Sequence, residues 1–199
     1  MAAFEVITEA RGEERQRLKM RVLETQRLLL REFHQDDLKD LVTWEGRSGE
    51  GYGKAQAQRF LNFCFAEYFK FGLGRWGMLL RTTGEIVGNC GFCHINFSQK
   101  TGEVAYYIAP KYRGRGLAAE ALGALIEFDF GDMGLARIQA RCDPDNKSSE
   151  RVMQKAGMTF ERMILSRDDS KVGSRADKLY AVFSSDFKVH PKTGIPPGD

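Results

Sequence analysis

An α/β or α+β class follows from three observations on the sequence. Short apolar runs of strand character outnumber the helical stretches. The helical stretches are inserted between those runs instead of being grouped at one end. The length of 199 residues, with 42% hydrophobic and 29% charged residues, suits one sizeable core. A chain of this size buries about 70% of its unfolded surface, and one domain is the default. The charge balance, 30 Lys+Arg against 27 Asp+Glu, leaves a net charge of only +3. That argues against a dedicated nucleic-acid surface, which carries a strong basic excess. No apolar run approaches about 18 residues, so no membrane-spanning helix is expected. The charge-rich N-terminus lacks an apolar signal core, and the expectation is a cytoplasmic protein without membrane partners.

The elements follow in order. Residues 1–24 are charge-rich and read as an N-terminal extension, either an arm or an extra helix. Residues 27–33 (RLLLREF) read as a strand, and Asp36 and Asp37 then offer a cap to a short helix over 36–44. The glycine-rich stretch 46–53 reads as a loop. Residues 55–71 form a long helix, with Phe60, Phe63, Cys64, Tyr68 and Phe71 at helical spacing. Strands over 76–81 and 85–96 flank Thr83-Gly84 and form a hairpin. A strand over 103–108 precedes the clearest helix, 117–133, which has Ala118, Ala121, Leu122, Leu125 and Phe128 on one face. A strand over 137–141, a helix over 147–156 and strands over 158–166 and 178–184 complete the domain, taken as 25–187. Residues 188–199, with three prolines and two glycines, read as a loose tail.

Cys90-Gly91-Phe92-Cys93-His94 matches a c-type haem attachment pattern, and its CxxC half matches a redox motif. The stretch lies inside a strand-like run, whereas a thioredoxin-type motif opens a helix. Cys64, Cys142, His34 and His190 stand too far off in sequence to complete a metal set. The cysteines therefore read as structural, with no metal and no haem expected.

The segment 106–120 (YYIAPKYRGRGLAAE) joins a strand to the best helix. Its turn carries two glycines and three basic residues, Lys111, Arg113 and Arg115. Glycine lets a backbone approach a ligand closely, and the free N–H groups and dipole of a helix start favour an anion. A pyrophosphate suits this arrangement. The turn is neither a Walker loop nor a Rossmann GxGxxG. Taken alone, it reads equally well as a glycine turn with solvated arginines.

Arg113-x-x-Gly116-x-Ala118 fits the (Gln/Arg)-x-x-Gly-x-(Gly/Ala) signature of the GCN5-related N-acetyltransferases, the GNAT family. Asn146-x-x-Ser149-x-x-Val152 before Gly157-Met158 resembles the family's Asn-x-x-Ser-x-x-Val stretch before Gly-Phe. Thr25-Gln26-Arg27-Leu28-Leu29-Leu30-Arg31, followed by Asp36-Asp37-Leu38, fits the family's beginning, and Gly84-Glu85-Ile86-Val87-Gly88 fits its hairpin. The resemblance spans 25–183 and is nearest the RimJ/RimL-like branch, the ribosomal-protein N-acetyltransferase type.

The resemblance implies the acyl-CoA N-acyltransferase fold: a mixed central sheet of six to seven strands, splayed at an acetyl-CoA cleft and flanked by about four helices. It implies acetyl-CoA as co-substrate, with the pyrophosphate on the backbone of Arg113, Gly114, Arg115, Gly116, Leu117 and Ala118. The pantetheine arm would pair with Tyr106, Tyr107 and Ile108, and Asn146 would contact it. The implied reaction is acetyl transfer to a primary amine by direct attack in a ternary complex. Glu103 is the candidate base. Many family members protonate the leaving thiolate with a tyrosine at the position held here by Met153, which has no proton to give. As in the RimL-like branch, Ser149 is the implied acid, although a serine there also suits helix capping. A protein N-terminal α-amine is the expected acceptor. The alternatives are a small amine, such as an antibiotic or polyamine, or a non-catalytic CoA-binding module on the same fold. Monomer and homodimer remain open. Trp44, Tyr52 and Trp76 are candidates for lining the acceptor pocket or for the core.

Overall fold

The computed structural model describes residues 22–44, 53–165 and 176–187. The arm through residue 21, Tyr52 with most of the glycine-rich stretch around it, and the tail from residue 188 lie outside the described residues. Eight strands form one sheet, against the six to seven expected: β1 (Leu23–Glu24), β2 (Leu28–Arg31), β3 (Arg75–Leu80), β4 (Ile86–Asn96), β5 (Thr101–Ile108), β6 (Arg137–Cys142), β7 (Thr159–Leu165) and β8 (Ala176–Phe183). The two-residue β1 has no pattern long enough to read. It forms because Leu23 and Glu24 pair with Leu30 and Leu29, inside the stretch assigned to the extension. The helices are α1 (Leu38–Leu41), α2 (Gly53–Phe71), α3 (Leu117–Gly131) and α4 (Lys147–Lys155). The short helix expected over 36–44 is divided into a 3-10 turn, Gln35–Asp37, and the single turn of α1. Asp37 ties this corner down, since its carboxylate accepts from His34 N–H at 2.7 Å and from both Arg31 terminal nitrogens at 2.8 Å.

The sheet order is β1-β2-β3-β4-β5-β6-β8-β7. Every neighbouring pair is antiparallel except β5 and β6, which are joined through α3. A parallel pair needs such a crossover. Three residue pairs hold β5 to β6: Thr101 to Arg137, Gly102 to Ile138 and Glu103 to Gln139. Beyond them the strands part. β5 stays with β4 as far as Ile108 opposite Gly88, whereas β6 stays with β8 as far as Cys142 opposite Lys178. The sheet thus opens between its two halves after Glu103 and Gln139.

Helix α3 fills the inner face. It buries Leu117, Ala121, Leu122, Leu125, Ile126 and Phe128, and Trp76 of β3 meets Phe128 edge-on at 5.8 Å. On the other face, Phe33 packs on Phe60 of α2 at 5.4 Å, and Trp44, just past α1, lies 5.1 Å from the Tyr107 ring. Of the three aromatic candidates, Trp76 belongs to the core and Trp44 lies beside β5. Asp129 is fully buried in α3, and neither carboxylate oxygen has a hydrogen-bond partner. Burial pushes its carboxyl well above the usual carboxylate range.

All four cysteines are free and buried. Cys93 is the extra residue where the β4–β5 register shifts between Phe92 and His94. Burial pushes the Cys90 thiol up to about 12, far from the reactive thiolate range. Among the described residues no group of three His, Cys, Asp or Glu side chains could hold a metal. No described helix is long and apolar enough to cross a membrane.

Candidate active site

The turn expected to bind an anion is built from local sequence. After β5, a 3-10 turn (Pro110–Tyr112) leads through Arg113 to Gly114 and Gly116, whose φ angles are +76° and +77°. L side chains adopt this conformation at a cost, and glycine does not. Gly116 is the N-cap of α3 without a side-chain cap, and a Cβ at Gly114 would stand in open space. The first amides of a helix lack intrahelical partners. The open space beside Gly114 and these helix-start amides are compatible with the diphosphate of the cofactor they are expected to hold.

The basic side chains mostly brace this loop. Arg113 Nε donates to Ile108 O at 3.1 Å, and Arg115 donates to Lys111 O at 3.1 Å. Lys111 pairs with Glu85 at 3.6 Å. The outer brace, absent from the expected site, is Arg27. It donates to Arg115 O at 2.8 Å and pairs with Glu120 of α3 at 2.6 Å, while Thr25 Oγ1 donates to the same carboxylate at 2.6 Å. A readable signal was present in Glu120, an acid in the first turn of a helix that wants one there.

The opening between β5 and β6 gathers residues far apart in sequence. Ala109 N–H donates to Val87 O at 2.9 Å, toward β4. Backbone groups alternate sides along a strand, so Tyr107 N–H also faces β4, and those of Tyr106 and Ile108 face the opening. A Cβ on Gly88 would lie 2.1 Å from Tyr107 O, consistent with that direction. The N–H groups that face the opening are therefore those on either side of Tyr107, not its own.

Glu103 sits at the last pair before the strands part and is 4% exposed. Its carboxylate accepts from Arg141 Nε at 2.8 Å, Arg141 Nη2 at 3.0 Å and Gln139 Nε2 at 2.8 Å, and the Cys93 thiol lies 3.9 Å away. Ser149, in the first turn of α4, has its Oγ 2.6 Å from the Tyr106 hydroxyl. Asn146 caps α4: its Oδ1 accepts from Ser149 N–H at 3.0 Å and from Ser148 Oγ at 2.8 Å. Met153 is fully buried beneath them. Glu150, next to Ser149, is pushed down to about 2 by hydrogen bonds from Lys178 and Tyr180. On the face of β5 opposite Tyr106, a groove of about 180 Å³ runs between α1 and the β5–α3 connection, lined by Asp40, Thr43, Trp44, Glu85, Lys111 and Tyr112.

Residues 27–159 match the acetyltransferase (GNAT) domain family. An uncharacterized N-acetyltransferase of Bacillus subtilis, YnaD, is 32% identical over 144 residues, which is 69% of this chain and 82% of the relative. The ribosomal-protein-serine acetyltransferase of Escherichia coli is 31% identical over 77 residues, 39% of this chain and 43% of the relative. A GNAT-family acetyltransferase from Bacillus anthracis has the same fold at a TM-score of 0.69 with 26% identity, over 83% of this chain and 99% of that one. Together with a glycine cradle at a helix start beside a parted strand pair, these matches show that the chain belongs to the GNAT acetyltransferase family and is an acetyl-CoA-dependent N-acetyltransferase.

Proposed function

We propose that the acceptor is a protein N-terminal α-amine. The observation that carries this reading is the state of Glu103, whose oxygens are engaged by Arg141 and Gln139. Taking a proton would weaken the charge-assisted bonds that hold this carboxylate in place. An α-amine, with a reference pKa of about 8, is neutral in roughly a tenth of molecules at pH 7 and needs little help. A lysine at about 10.4 costs about 4.6 kcal/mol to deprotonate at pH 7 and needs a free base. The local similarity to a ribosomal-protein-serine acetyltransferase supports the same reading.

Bound acetyl-CoA supplies an activated acetyl thioester. The amides from Arg113 to Ala118 would hold its diphosphate, and the edge of β5 from Tyr106 to Ile108, with Asn146, would align its arm. One N–H of this edge, at Tyr106 or Ile108, would polarise the carbonyl, since the two lie about 6.7 Å apart along the strand, and Ser149 would protonate the departing sulfur. Alignment in a ternary complex contributes much of the acceleration.

A second reading has its own observation. The groove beside Trp44 carries two carboxylates, Asp40 and Glu85, against one lysine, and burial raises the Asp40 carboxyl. That polarity suits a small cationic amine.

Thiol release from acetyl-CoA, measured against N-terminal peptides, a lysine side-chain peptide and spermidine, separates the readings. The highest kcat/KM is expected with an N-terminal peptide, and a spermidine preference overturns the proposal. With that peptide at pH 8, Glu103→Gln is expected to change turnover less than about threefold, well below the about 10²-fold loss typical of removing a general base. A larger loss that recovers as pH rises assigns the base to Glu103.

A further inference from the structure

We propose that Tyr106 is the positioning residue for proton delivery: its hydroxyl holds Ser149 Oγ across the strand opening and decides whether the serine proton is free for the departing CoA sulfur. This rests on the acetyltransferase reading and on Ser149 as donor, and it adds a role for Tyr106 beyond lining the cofactor arm.

The two hydroxyls are 2.6 Å apart, and the phenol also lies 2.9 Å from Ser149 O. Tyr106 stands on β5 beyond the last β5–β6 pair, whereas Ser149 stands on the helix after β6. The contact therefore crosses the opening proposed to take the thioester. Each hydroxyl has one proton, so two arrangements exist. If the phenol donates to Ser149 O, the serine proton is spent on the phenol oxygen. If the phenol donates to Ser149 Oγ, the serine proton is free to point into the opening. Only the second arrangement delivers a proton to sulfur, and the phenol is the group that selects it. Met153, in the position of the family's tyrosine, is a buried thioether with no proton to offer. Burial pushes the Tyr106 phenol up to about 12, so it keeps its proton at neutral pH.

The step balances. The amine nitrogen bonds to the acetyl carbon, and the carbon–sulfur bond breaks with its electron pair on sulfur. Sulfur takes the Ser149 Oγ proton, Tyr106 passes its proton to that oxygen, and the proton shed by the amine returns through water to the phenol. One amine and one thioester become one amide and one thiol.

The test uses Tyr106→Phe, Ser149→Ala and the double variant of the full chain. Acetyl-CoA affinity is measured by calorimetry and turnover by thiol release. Each single change is expected to lower kcat about tenfold to a hundredfold, within the span of general-acid effects, with the acetyl-CoA Kd held within about twofold. The double variant is expected to fall no further than the worse single one, because residues acting as a unit are non-additive. In protein labelled with 13C at tyrosine Cζ, Ser149→Ala is expected to move the resonance that Tyr106→Phe deletes. An unchanged kcat in Tyr106→Phe, losses that multiply in the double variant, lost acetyl-CoA binding in Tyr106→Phe or an unmoved resonance each overturn the inference while leaving the enzyme an acetyltransferase. A wild-type chain that binds acetyl-CoA yet releases no thiol with any amine overturns the underlying reading, and the inference with it.

Discussion

The two ends of the cleft are made in different ways. The end proposed to take the diphosphate, from Pro110 to Ala118, is continuous chain: a strand end, two glycines of positive φ and a helix start. The reacting end is discontinuous. Glu103 meets Gln139 and Arg141 from the next strand, and Tyr106 meets Ser149 from the helix after it. A local device depends on what each residue permits the backbone to do. A long-range one depends on two half-sheets parting at a set place, and it fails when either half moves. Damage at the reacting end should therefore appear first as lost stability or turnover, and damage at the diphosphate end as lost cofactor affinity.

The largest expected effect is at the reacting end. Arg141→Met leaves the Glu103 carboxylate buried without its ion-pair partner. Removing one member of a buried pair costs about 3–5 kcal/mol, and urea unfolding should show a loss of about 3 kcal/mol or more. A loss under about 1 kcal/mol shows that Gln139 alone suffices and dissolves the contrast. Next is Gly116→Val, which forces a β-branched residue into a left-handed φ of +77°. Strain of this kind costs about 1–3 kcal/mol, and the acetyl-CoA Kd should rise about tenfold or more because the cradle itself is deformed. An unaltered Kd removes the loop from cofactor binding. The smallest effect is expected from Arg27→Ala. Its ion pair with Glu120 has a half-exposed arginine, and such pairs contribute under about 1 kcal/mol. The Kd should weaken only a few-fold, through the freed Arg115 carbonyl, and stability should hardly change. A loss at Arg27 larger than at Gly116 would mean that the loop is held mainly from outside and is not local after all.

The same contrast explains what could be read in advance. The strands, the hairpin at Thr83-Gly84, α3 and the glycine cradle carry their own signals, because periodicity and positive-φ glycines are properties of short segments. The two-residue β1 carries none; it is drawn into the sheet by β2. Glu103 stood out as a strand-start carboxylate, yet nothing in its neighbourhood along the chain announced Arg141, 38 residues away. Arg27 belonged to a recognisable opening motif, but its grip on the Arg115 carbonyl, 88 residues on, exists only in the folded chain. The direction of the Tyr107 N–H likewise depends on which strand β5 leans against.

The sequence alone therefore determined the class, the order of elements, the glycine turn at the helix start and the absence of a tyrosine at Met153, since each is written in residues that are neighbours along the chain or one helical turn apart. Tertiary structure decided where the sheet parts, that Glu103 is bound to Arg141 and that Tyr106 faces Ser149. Those facts follow from β5 keeping its partner β4 while β6 keeps β8, a competition between pairings that no single segment encodes.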